Sequence, residues 1–351
     1  MNNSSIFNEV FGPVMVGPSS SHTAGPARIG KMCRQILPDE AAEIDISFDR
    51  QGSFAATYEA QGSNYGFIGG ILGLDVGDEG IRRSLRLAVE KGVKFQFNII
   101  DVKGEKHPNF AAVKITARNG FVLEAEAAST GGGMFEITRL QGCAVSLKGD
   151  CHEYLLFREE AESLAGAAYA PLADSGVGFE IRSSAGLLNI KTDQLCPDLE
   201  AALSKALGQT LLHLDPVLPV VKKMKAALPF VIAAEALEYA RLENIAEPWR
   251  LAVAYESALS GQGEAEILKM MRSIAAVMRR SAGKGLEGGY RQRGFLPPQS
   301  PVMRQTLEKG QAPQINLGVL NKAALWSCAV LDYDICLGLV AAAPTGGSSG
   351  V

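Results

Sequence analysis

Apolar and polar residues alternate through much of the first half of this chain, and this pattern narrows its possible folds more than any other. The alternation is clearest in residues 44–48, 95–100, 111–116, 122–127 and 134–140. Successive side chains of a strand point to opposite faces of a sheet, so the pattern predicts strands that bury one face. Residues 79–91 are predicted to be helical. We therefore expect residues 1–148 to form a mixed α+β domain.

Residues 149–197 have a weaker pattern. Segments 154–157 and 178–181 are predicted strands on either side of a helix over residues 159–169. We interpret this part as a small linker or a small domain of its own.

The pattern becomes helical from residue 198 to residue 351. Ile267, Met271, Ile274 and Met278 recur at spacings of four, three and four, which places them on one face of a helix. The glycines at 283, 285, 288 and 289 predict the end of that helix and a loop. We therefore predict an α+β protein whose C-terminal domain, residues 198–351, is mainly helical.

Composition excludes several classes of partner. The net charge of −4 gives no sign of binding to nucleic acid or to an anionic membrane. The apolar stretch near the C-terminus is interrupted by Asp332 and Asp334, so it is expected to be core rather than a membrane span. No export signal is visible at the N-terminus, and the six cysteines are widely spaced without a CxxC pair. Both features predict a cytoplasmic protein with free thiols.

A run of hydrogen-bonding side chains near the N-terminus carries the strongest functional signal. Its sequence is Gly17-Pro18-Ser19-Ser20-Ser21-His22-Thr23-Ala24-Gly25-Pro26. Proline is favoured in the first turn of a helix, so a helix is expected to begin at this point. The run would then lie at a helix N-terminus, where free N–H groups and the helix dipole favour a carboxylate or a phosphate. The alternative is an ordinary polar turn with an N-cap.

Three other segments combine glycine with short polar side chains, which allows the backbone to approach an anionic ligand closely. They are Gly62-Ser63-Asn64, Ser129-Thr130-Gly131-Gly132-Gly133, and Ala343-Pro344-Thr345-Gly346-Gly347-Ser348-Ser349-Gly350-Val351.

These motifs together resemble the iron–sulfur L-serine dehydratases, also called L-serine ammonia-lyases. In that family a GPSSSHTxGP run lines the substrate site at the start of the β domain. The chain also contains, in the family's order, Gly52-Ser53-Phe54-Ala55-Ala56-Thr57, Gln61-Gly62-Ser63-Asn64, His107-Pro108-Asn109, residues 129–133 and residues 343–351. The resemblance implies a β domain fused to an N-terminal part of the helical α domain, with residues 149–197 between them as a small linker or a shortened regulatory-like domain.

The resemblance also implies roles for individual residues. His22 would handle the proton in the elimination of water from serine. The substrate's carboxylate and amine would be held by Ser19, Ser20, Ser21, Thr23, Ser129, Gly131, Gly132, Thr345, Gly347 and Ser348. The family uses a [4Fe–4S] cluster and no pyridoxal phosphate. His107, His152 and His213 are expected to be structural.

The chain departs from the family pattern at three positions. Gln61 and Asn64 replace a histidine and an aspartate, and neither can exchange a proton. Ser349 lies where many members have a cysteine that binds the cluster, and a hydroxyl is a poor iron ligand. In the family, further cluster cysteines follow beyond the position of Val351. We therefore expect a truncated or separately encoded piece, or a degenerate relative, that works as a homodimer or with the remaining α-domain segment.

Three functions remain open from the sequence. The chain is a serine dehydratase, a related lyase acting on another amino acid such as L-cysteine, or an amino-acid-binding partner subunit without a cluster.

Overall fold

The computed structural model describes residues 3–104, 106–290, 297–309 and 317–346. The strands in these ranges are β1 Val14–Val16, β2 Ala41–Asp49, β3 Lys94–Ile100, β4 Phe110–Ala117, β5 Val122–Gly131, β6 Met134–Leu140, β7 Cys143–Leu147, β8 His152–Phe157, β9 Phe179–Ser184, β10 Leu187–Thr192, β11 Leu212–Leu214 and β12 Leu339–Ala341. The helices are α1 Gly25–Ile36, α2 Ser53–Thr57, α3 Ser63–Ile71, α4 Ser84–Glu90, α5 Ala161–Ser175, α6 Pro197–Leu207, α7 Ala233–Leu242, α8 Pro248–Ser260, α9 Glu264–Glu287, α10 Ser300–Glu308 and α11 Val319–Ile335. Short π-helical turns cover Ile6–Val10 and Ser20–Ala24, and a 3₁₀ turn covers Glu79–Arg83.

A six-stranded mixed sheet forms the N-terminal half, with strand order β3-β2-β4-β5-β6-β7. Strands β2 and β3 are parallel, and the other neighbours are antiparallel. Alternate residues of β2, among them Ile44, Ile46 and Phe48, are fully buried, as their spacing predicts. The predicted α+β class is confirmed. Ser129, Thr130 and Gly131 extend β5, and only a tight turn separates β5 from β6.

Helices α1 and α3 pack against each other at backbone distance. A β-carbon on Gly70 would lie 2.8 Å from the amide nitrogen of Lys31 and 2.9 Å from the carbonyl carbon of Ala27. One on Gly30 would lie 2.9 Å from the amide nitrogen of Ile71. Only glycine leaves room for this approach, which fixes α1 and the polar run before it against α3.

A second sheet has four antiparallel strands in the order β11-β8-β10-β9. Helix α5 connects β8 to β9, and α6 connects β10 to β11, which is the split βαβ arrangement. The predicted strands near residues 154 and 178 and the helix between them are present. Strands β10 and β11 were not predicted. The proposed domain boundaries at residues 148 and 197 stay a prediction.

Helix α9 presents the predicted apolar face. Ile267 and Ile274 are buried, and Met271 and Met278 pack on the same cluster. The helix ends at Glu287 with Gly288 as its C-cap, so Gly288 and Gly289 end it as predicted, whereas Gly283 and Gly285 do not. Gly285 lies inside the helix, where a β-carbon would be 2.9 Å from the Cα of Ala329 in α11. This glycine permits close helix packing rather than ending the helix.

Strands β1 and β12 join the two ends of the described chain. They pair antiparallel, with Val14 opposite Ala341 and Val16 opposite Leu339. The loops that follow β1 and β12 are therefore brought to the same region.

None of the helices among the described residues is long and apolar enough to cross a membrane. All six cysteines are free thiols.

Candidate active site

The run from Ser19 to Thr23 is itself helical. Ser19 caps the π-helical turn, and its hydroxyl accepts a hydrogen bond of 3.2 Å from the backbone N–H of His22. Ser20 is buried within the turn, and its carbonyl accepts from the N–H of Gly25. The turn runs directly into α1, so the combined helical segment begins at Ser20. The sequence correctly predicted a helix here but placed the polar residues just before it.

His22 is held on both ring nitrogens by hydroxyl groups. Nδ1 lies 2.9 Å from the Ser21 hydroxyl, and Nε2 lies 3.0 Å from the Ser53 hydroxyl. The Ser21 hydroxyl is in turn 3.3 Å from that of Ser19. The edge of the Phe54 ring closes a third side, with ring centroids 5.1 Å apart. Ser53 belongs to the Gly52–Thr57 motif, whose sequence alone did not indicate a contact with His22.

Burial sets the protonation state of His22. The side chain is almost enclosed, and desolvation lowers its pKa below the ordinary value of 6.5. The ring is therefore neutral near pH 7. A neutral imidazole has one N–H donor and one acceptor nitrogen, so one of the two flanking hydroxyls donates to it and the other accepts from it. This is the state that a general base requires.

Thr23 connects the turn to the segment before α3. Its hydroxyl donates to the carbonyl of Gln61 at 2.8 Å and lies 3.3 Å from the carbonyl of Gly17. Gly62 adopts a positive φ of 79°, and a β-carbon there would lie 3.0 Å from the Thr23 hydroxyl. Thr23 thus fixes the position of the Gln61–Gly62 segment that precedes α3. Asn64, two residues after Gly62, is buried, and its Oδ1 accepts a hydrogen bond from the N–H of Tyr65.

The glycine hairpin between β5 and β6 packs on the first turn of α1. Ser129 is fully buried, and a β-carbon on Gly25 would lie 2.9 Å from its Cβ. Asn109 donates from its side chain to the carbonyl of Ser129 at 3.2 Å. Gly131 and Gly132 form the tight turn with positive φ angles of 100° and 60°. The predicted Ser19–Thr23 and Ser129–Gly132 groups therefore adjoin the same helix start.

Arg28 is a buried cation beside this hairpin and was not among the predicted site residues. Its Nη1 donates to the carbonyl of Gly133 at 2.7 Å, and the side chain is only 2% exposed. Desolvation lowers its pKa to about 10, so it is still charged at neutral pH. Its Nε finds no hydrogen-bond partner within the described ranges. The only sequence signal was an arginine in the first turn of the helix, next to Ala27 and Ile29.

The loop after β12 reaches the same region. A β-carbon on Gly132 would lie 3.5 Å from the Cβ of Pro344, and one on Gly346 would lie 3.4 Å from the carbonyl oxygen of Pro18. Thr345 lies between these two contacts and is half-buried. Gly347, Ser348 and Ser349 lie outside the described residues. The structure therefore brings the described part of this loop next to the other two predicted groups.

Asp334, near the end of α11, is buried against this loop. A β-carbon on Gly17 would lie 2.8 Å from its Cγ, and one on Gly346 would lie 3.3 Å from its Oδ2. Burial raises its pKa well above the ordinary value, and its Oδ1 has no hydrogen-bond partner among the residues the structure describes. The sequence signal was present, because an acidic residue inside an apolar run is costly unless it has a role. From the sequence alone, Asp334 indicated only that the apolar stretch is not a membrane span.

The described cysteines do not by themselves fit a [4Fe–4S] cluster. Such clusters are usually held by several thiolates. The two groups of three potential metal ligands in the described ranges contain one cysteine between them, and both lie in or beside the second sheet rather than at His22. Cys328 and Cys336 are eight residues apart along α11, which corresponds to about 12 Å. We therefore derive no chemical step through a cluster.

Comparison with known proteins agrees with the resemblance found in the sequence. Residues 5–139 match the family model described as serine dehydratase beta chain. The probable L-serine dehydratase beta chain of Bacillus subtilis (strain 168) is 43% identical over 142 residues, which are 40% of this chain and 63% of that protein. The L-serine dehydratase beta chain of Peptoniphilus asaccharolyticus is 33% identical over 187 residues, which are 53% of this chain and 81% of that protein.

This chain therefore belongs to the serine dehydratase family. The region that the family model matches contains the turn at Ser19–Thr23, Ser53 and the glycine hairpin. Asp334 and the loop at residues 343–346 lie outside the matched region.

Proposed function

We propose that this chain binds a small amino acid at the Ser19–Thr23 turn and takes part in the dehydration of L-serine to pyruvate and ammonia. The observation that carries this proposal is the neutral, buried His22, held between the hydroxyls of Ser21 and Ser53. Membership of the serine dehydratase family gives the class of reaction.

Substrate binding would use the positive end of the helical segment. Ser19, Ser20, Ser21 and Thr23 bring hydroxyl and amide groups to this end, where the helix dipole favours a carboxylate. The charge of Arg28 adds to this field, because a buried cation acts over a longer distance than an exposed one. The backbone of Ser129, Gly131 and Gly132, together with Thr345, would close the other side.

The elimination removes a proton from Cα and hydroxide from Cβ, which gives water and 2-aminoacrylate. Its imine tautomer is then hydrolysed to pyruvate and ammonia. We assign the proton transfer to His22, whose neutral ring can accept a proton and pass it along the hydroxyls of Ser21 or Ser53.

The departure of hydroxide needs an acid, which the family resemblance assigns to a [4Fe–4S] cluster. The thiolate ligands would come at least in part from a second polypeptide, because all six cysteines of this chain lie in the described ranges and are not grouped there. We propose that this polypeptide is another copy of the chain or an α-type segment, since the two relatives are named beta chains. A cytoplasmic location is the corresponding prediction.

A second candidate substrate is L-cysteine. Gln61 and Asn64 stand where the family motif has ionisable residues, so the chain has fewer groups to assist a poor leaving group. Sulfide leaves with less assistance than hydroxide because thiols are much stronger acids than water. The Thr23–Gln61 contact shows that this segment adjoins the turn.

Calorimetric titration of the full chain with L-serine and with L-cysteine tests the binding part of the proposal. We expect saturable binding of at least one of them, weakened in Ser20→Ala and unchanged in the matched control Ser183→Ala, whose serine is exposed on β9.

Pyruvate formation by the anaerobically reconstituted protein, with its partner if one is needed, tests the chemistry. We expect His22→Gln to abolish turnover and His107→Gln to retain it. Turnover by His22→Gln at the wild-type rate would overturn the assignment.

A further inference from the structure

Three potential metal ligands lie together on one face of the second sheet, far from the candidate active site in the sequence. His213 of β11 pairs with Tyr154 of β8, and His152 is two residues before Tyr154, so both histidines project from the same face. Asp215 follows two residues after His213 and lies on that face as well. The strand pairing therefore places the three side chains side by side.

Their ligand atoms converge at the spacing that a metal ion requires. Nδ1 of His152 lies 3.3 Å from Nε2 of His213. Oδ1 of Asp215 lies 3.5 Å from the first nitrogen and 3.9 Å from the second. Bonds of about 2.1 Å in a tetrahedral site separate the ligand atoms by about 3.4 Å. Only Asp215 needs a small movement, and its side chain is 67% exposed and free to make it.

The surroundings hold the ligands in place and leave one side open. The Tyr154 ring stacks on His213 with centroids 4.8 Å apart. The side chain of Gln35 in α1 accepts from the N–H of Asp215 at 2.7 Å and donates to its carbonyl at 3.1 Å. The two histidines are partly exposed, so an ion and a water ligand can reach the site.

The chemistry of this set suits a cation at its centre. The N–H of one neutral imidazole can satisfy the contact between the two rings, whereas a metal ion would be bound by both imidazole nitrogens and the carboxylate oxygen at once. Two imidazoles and one carboxylate suit Zn²⁺ and similar first-row divalent ions better than Ca²⁺ or Mg²⁺. The other group of potential ligands, Asp150, Cys151 and Glu153, differs because Lys191 already neutralises Glu153 at 2.9 Å.

We propose that His152, His213 and Asp215 form a zinc-type divalent metal site, with water in the fourth position. The ion would fasten β8 to the end of β11 and, through Gln35, hold the second sheet against α1. Because α1 begins at the Ser19–Thr23 turn, the proposed ion would stabilise the junction between the second sheet and the helix that carries the candidate active site. The proposal does not depend on which amino acid that site binds.

Titration of the chelator-treated full chain with Zn²⁺, in competition with a chromophoric chelator, tests this site. We expect one tightly bound Zn²⁺ per chain, and a tetrahedral visible spectrum when Co²⁺ replaces it. Loss of a group that only orients a ligand lowers metal affinity about 10–100-fold. We therefore expect His152→Gln and His213→Gln to lower it by at least as much, and Zn²⁺ to raise the melting temperature of the wild type but not of these two variants.

His107→Gln and Cys151→Ser are the matched controls and should bind Zn²⁺ like the wild type. Far-ultraviolet circular dichroism of each variant verifies that the fold is retained. If the wild type binds Zn²⁺ no more tightly than the His152→Gln/His213→Gln double variant, the proposal is overturned, and a shared proton joins the two rings. Equal loss of binding in Cys151→Ser would also overturn it, by assigning the ion to the other group.

Discussion

The Ser53 hydroxyl lies 3.0 Å from Nε2 of His22, although 31 residues separate them in the sequence. The position of Ser53 is set from a third segment, since its backbone N–H donates to the carbonyl of Pro108 at 2.7 Å. Gly52 permits that contact, because a β-carbon there would lie 2.6 Å from the same carbonyl oxygen. The orientation of the proposed base therefore depends on two loops beyond its own turn.

We expect Ser53→Ala to lower kcat about tenfold with little change in KM, because Ser53 holds the His22 ring and not the substrate. Ser53→Thr keeps the hydroxyl and should restore most of the rate. Steady-state kinetics of pyruvate formation measure both, with Ser183→Ala as the control. An effect of Ser53→Ala on KM alone would contradict a positioning role.

The buried carboxyl of Asp334 makes the free energy of unfolding depend on pH in the opposite direction to that expected for a carboxylate in an ion pair. Its pKa is raised in the folded state, so the folded protein keeps a proton that the unfolded chain releases above pH 3.8. The free energy of unfolding therefore falls as the pH rises from the pKa of Asp334 in the unfolded chain to its pKa in the folded protein. We expect Asp334→Asn to be more stable than the wild type at pH 7.5, with the advantage disappearing below about pH 4. Thermal unfolding across this pH range measures it.

Asp332 provides the matched comparison two residues away in α11. Its Oδ2 accepts from both the N–H and the hydroxyl of Ser300, at 2.8 and 2.7 Å. Hydrogen bonds to a charged group each stabilise a protein by about 1.5–3 kcal/mol, so Asp332→Ala should destabilise the protein by about 2 kcal/mol or more. Stabilisation by both substitutions would show that relief of helix crowding, and not the buried carboxyl, explains the result.

The spacing of apolar residues within single segments correctly predicted strands and helix faces, because these depend only on residues close together in the sequence. The alternation in residues 44–48 and the spacing of Ile267 and Ile274 identified a half-buried strand and a helix face, because each pattern follows from backbone geometry. The polar run at Ser19 also predicted the start of α1. Gly285 was misinterpreted because its role depends on Ala329, a distant residue that no local pattern reveals.

The geometry of the two proposed sites could not be predicted for the same reason. His152 and His213 are 61 residues apart, and only the pairing of β8 with β11 brings them together. Arg28 and Asp334 gain importance from their burial, which is not visible in the sequence. Family resemblance supplied the residues of the turn at Ser19 but not Ser53's contact with His22.

Close packing of α1 on α3 should make Gly70 intolerant of any side chain. A β-carbon at Gly70 would meet the backbone of Ala27, which cannot move without shifting α1, so we expect Gly70→Ala to destabilise the protein by about 3 kcal/mol. Gly166 in α5 is the control, since a β-carbon there meets nothing within 4 Å. Gly166→Ala should stabilise the helix by about 0.5–1 kcal/mol. Urea denaturation measures both, and equal effects would refute the packing argument.

Arg28 should control amino-acid affinity through its charge and through the hairpin it holds. Arg28→Met removes the bond to the Gly133 carbonyl and leaves that acceptor buried, so we expect weaker L-serine binding and a loss of stability of about 2 kcal/mol. Arg28→Lys keeps the charge and can reach one acceptor, so it should recover binding more fully than stability. Calorimetric titration and urea denaturation of the two variants separate the effects. If Arg28→Lys binds L-serine no better than Arg28→Met while both remain folded, the positive charge has no part in holding the carboxylate, and Arg28 serves only to fix the hairpin.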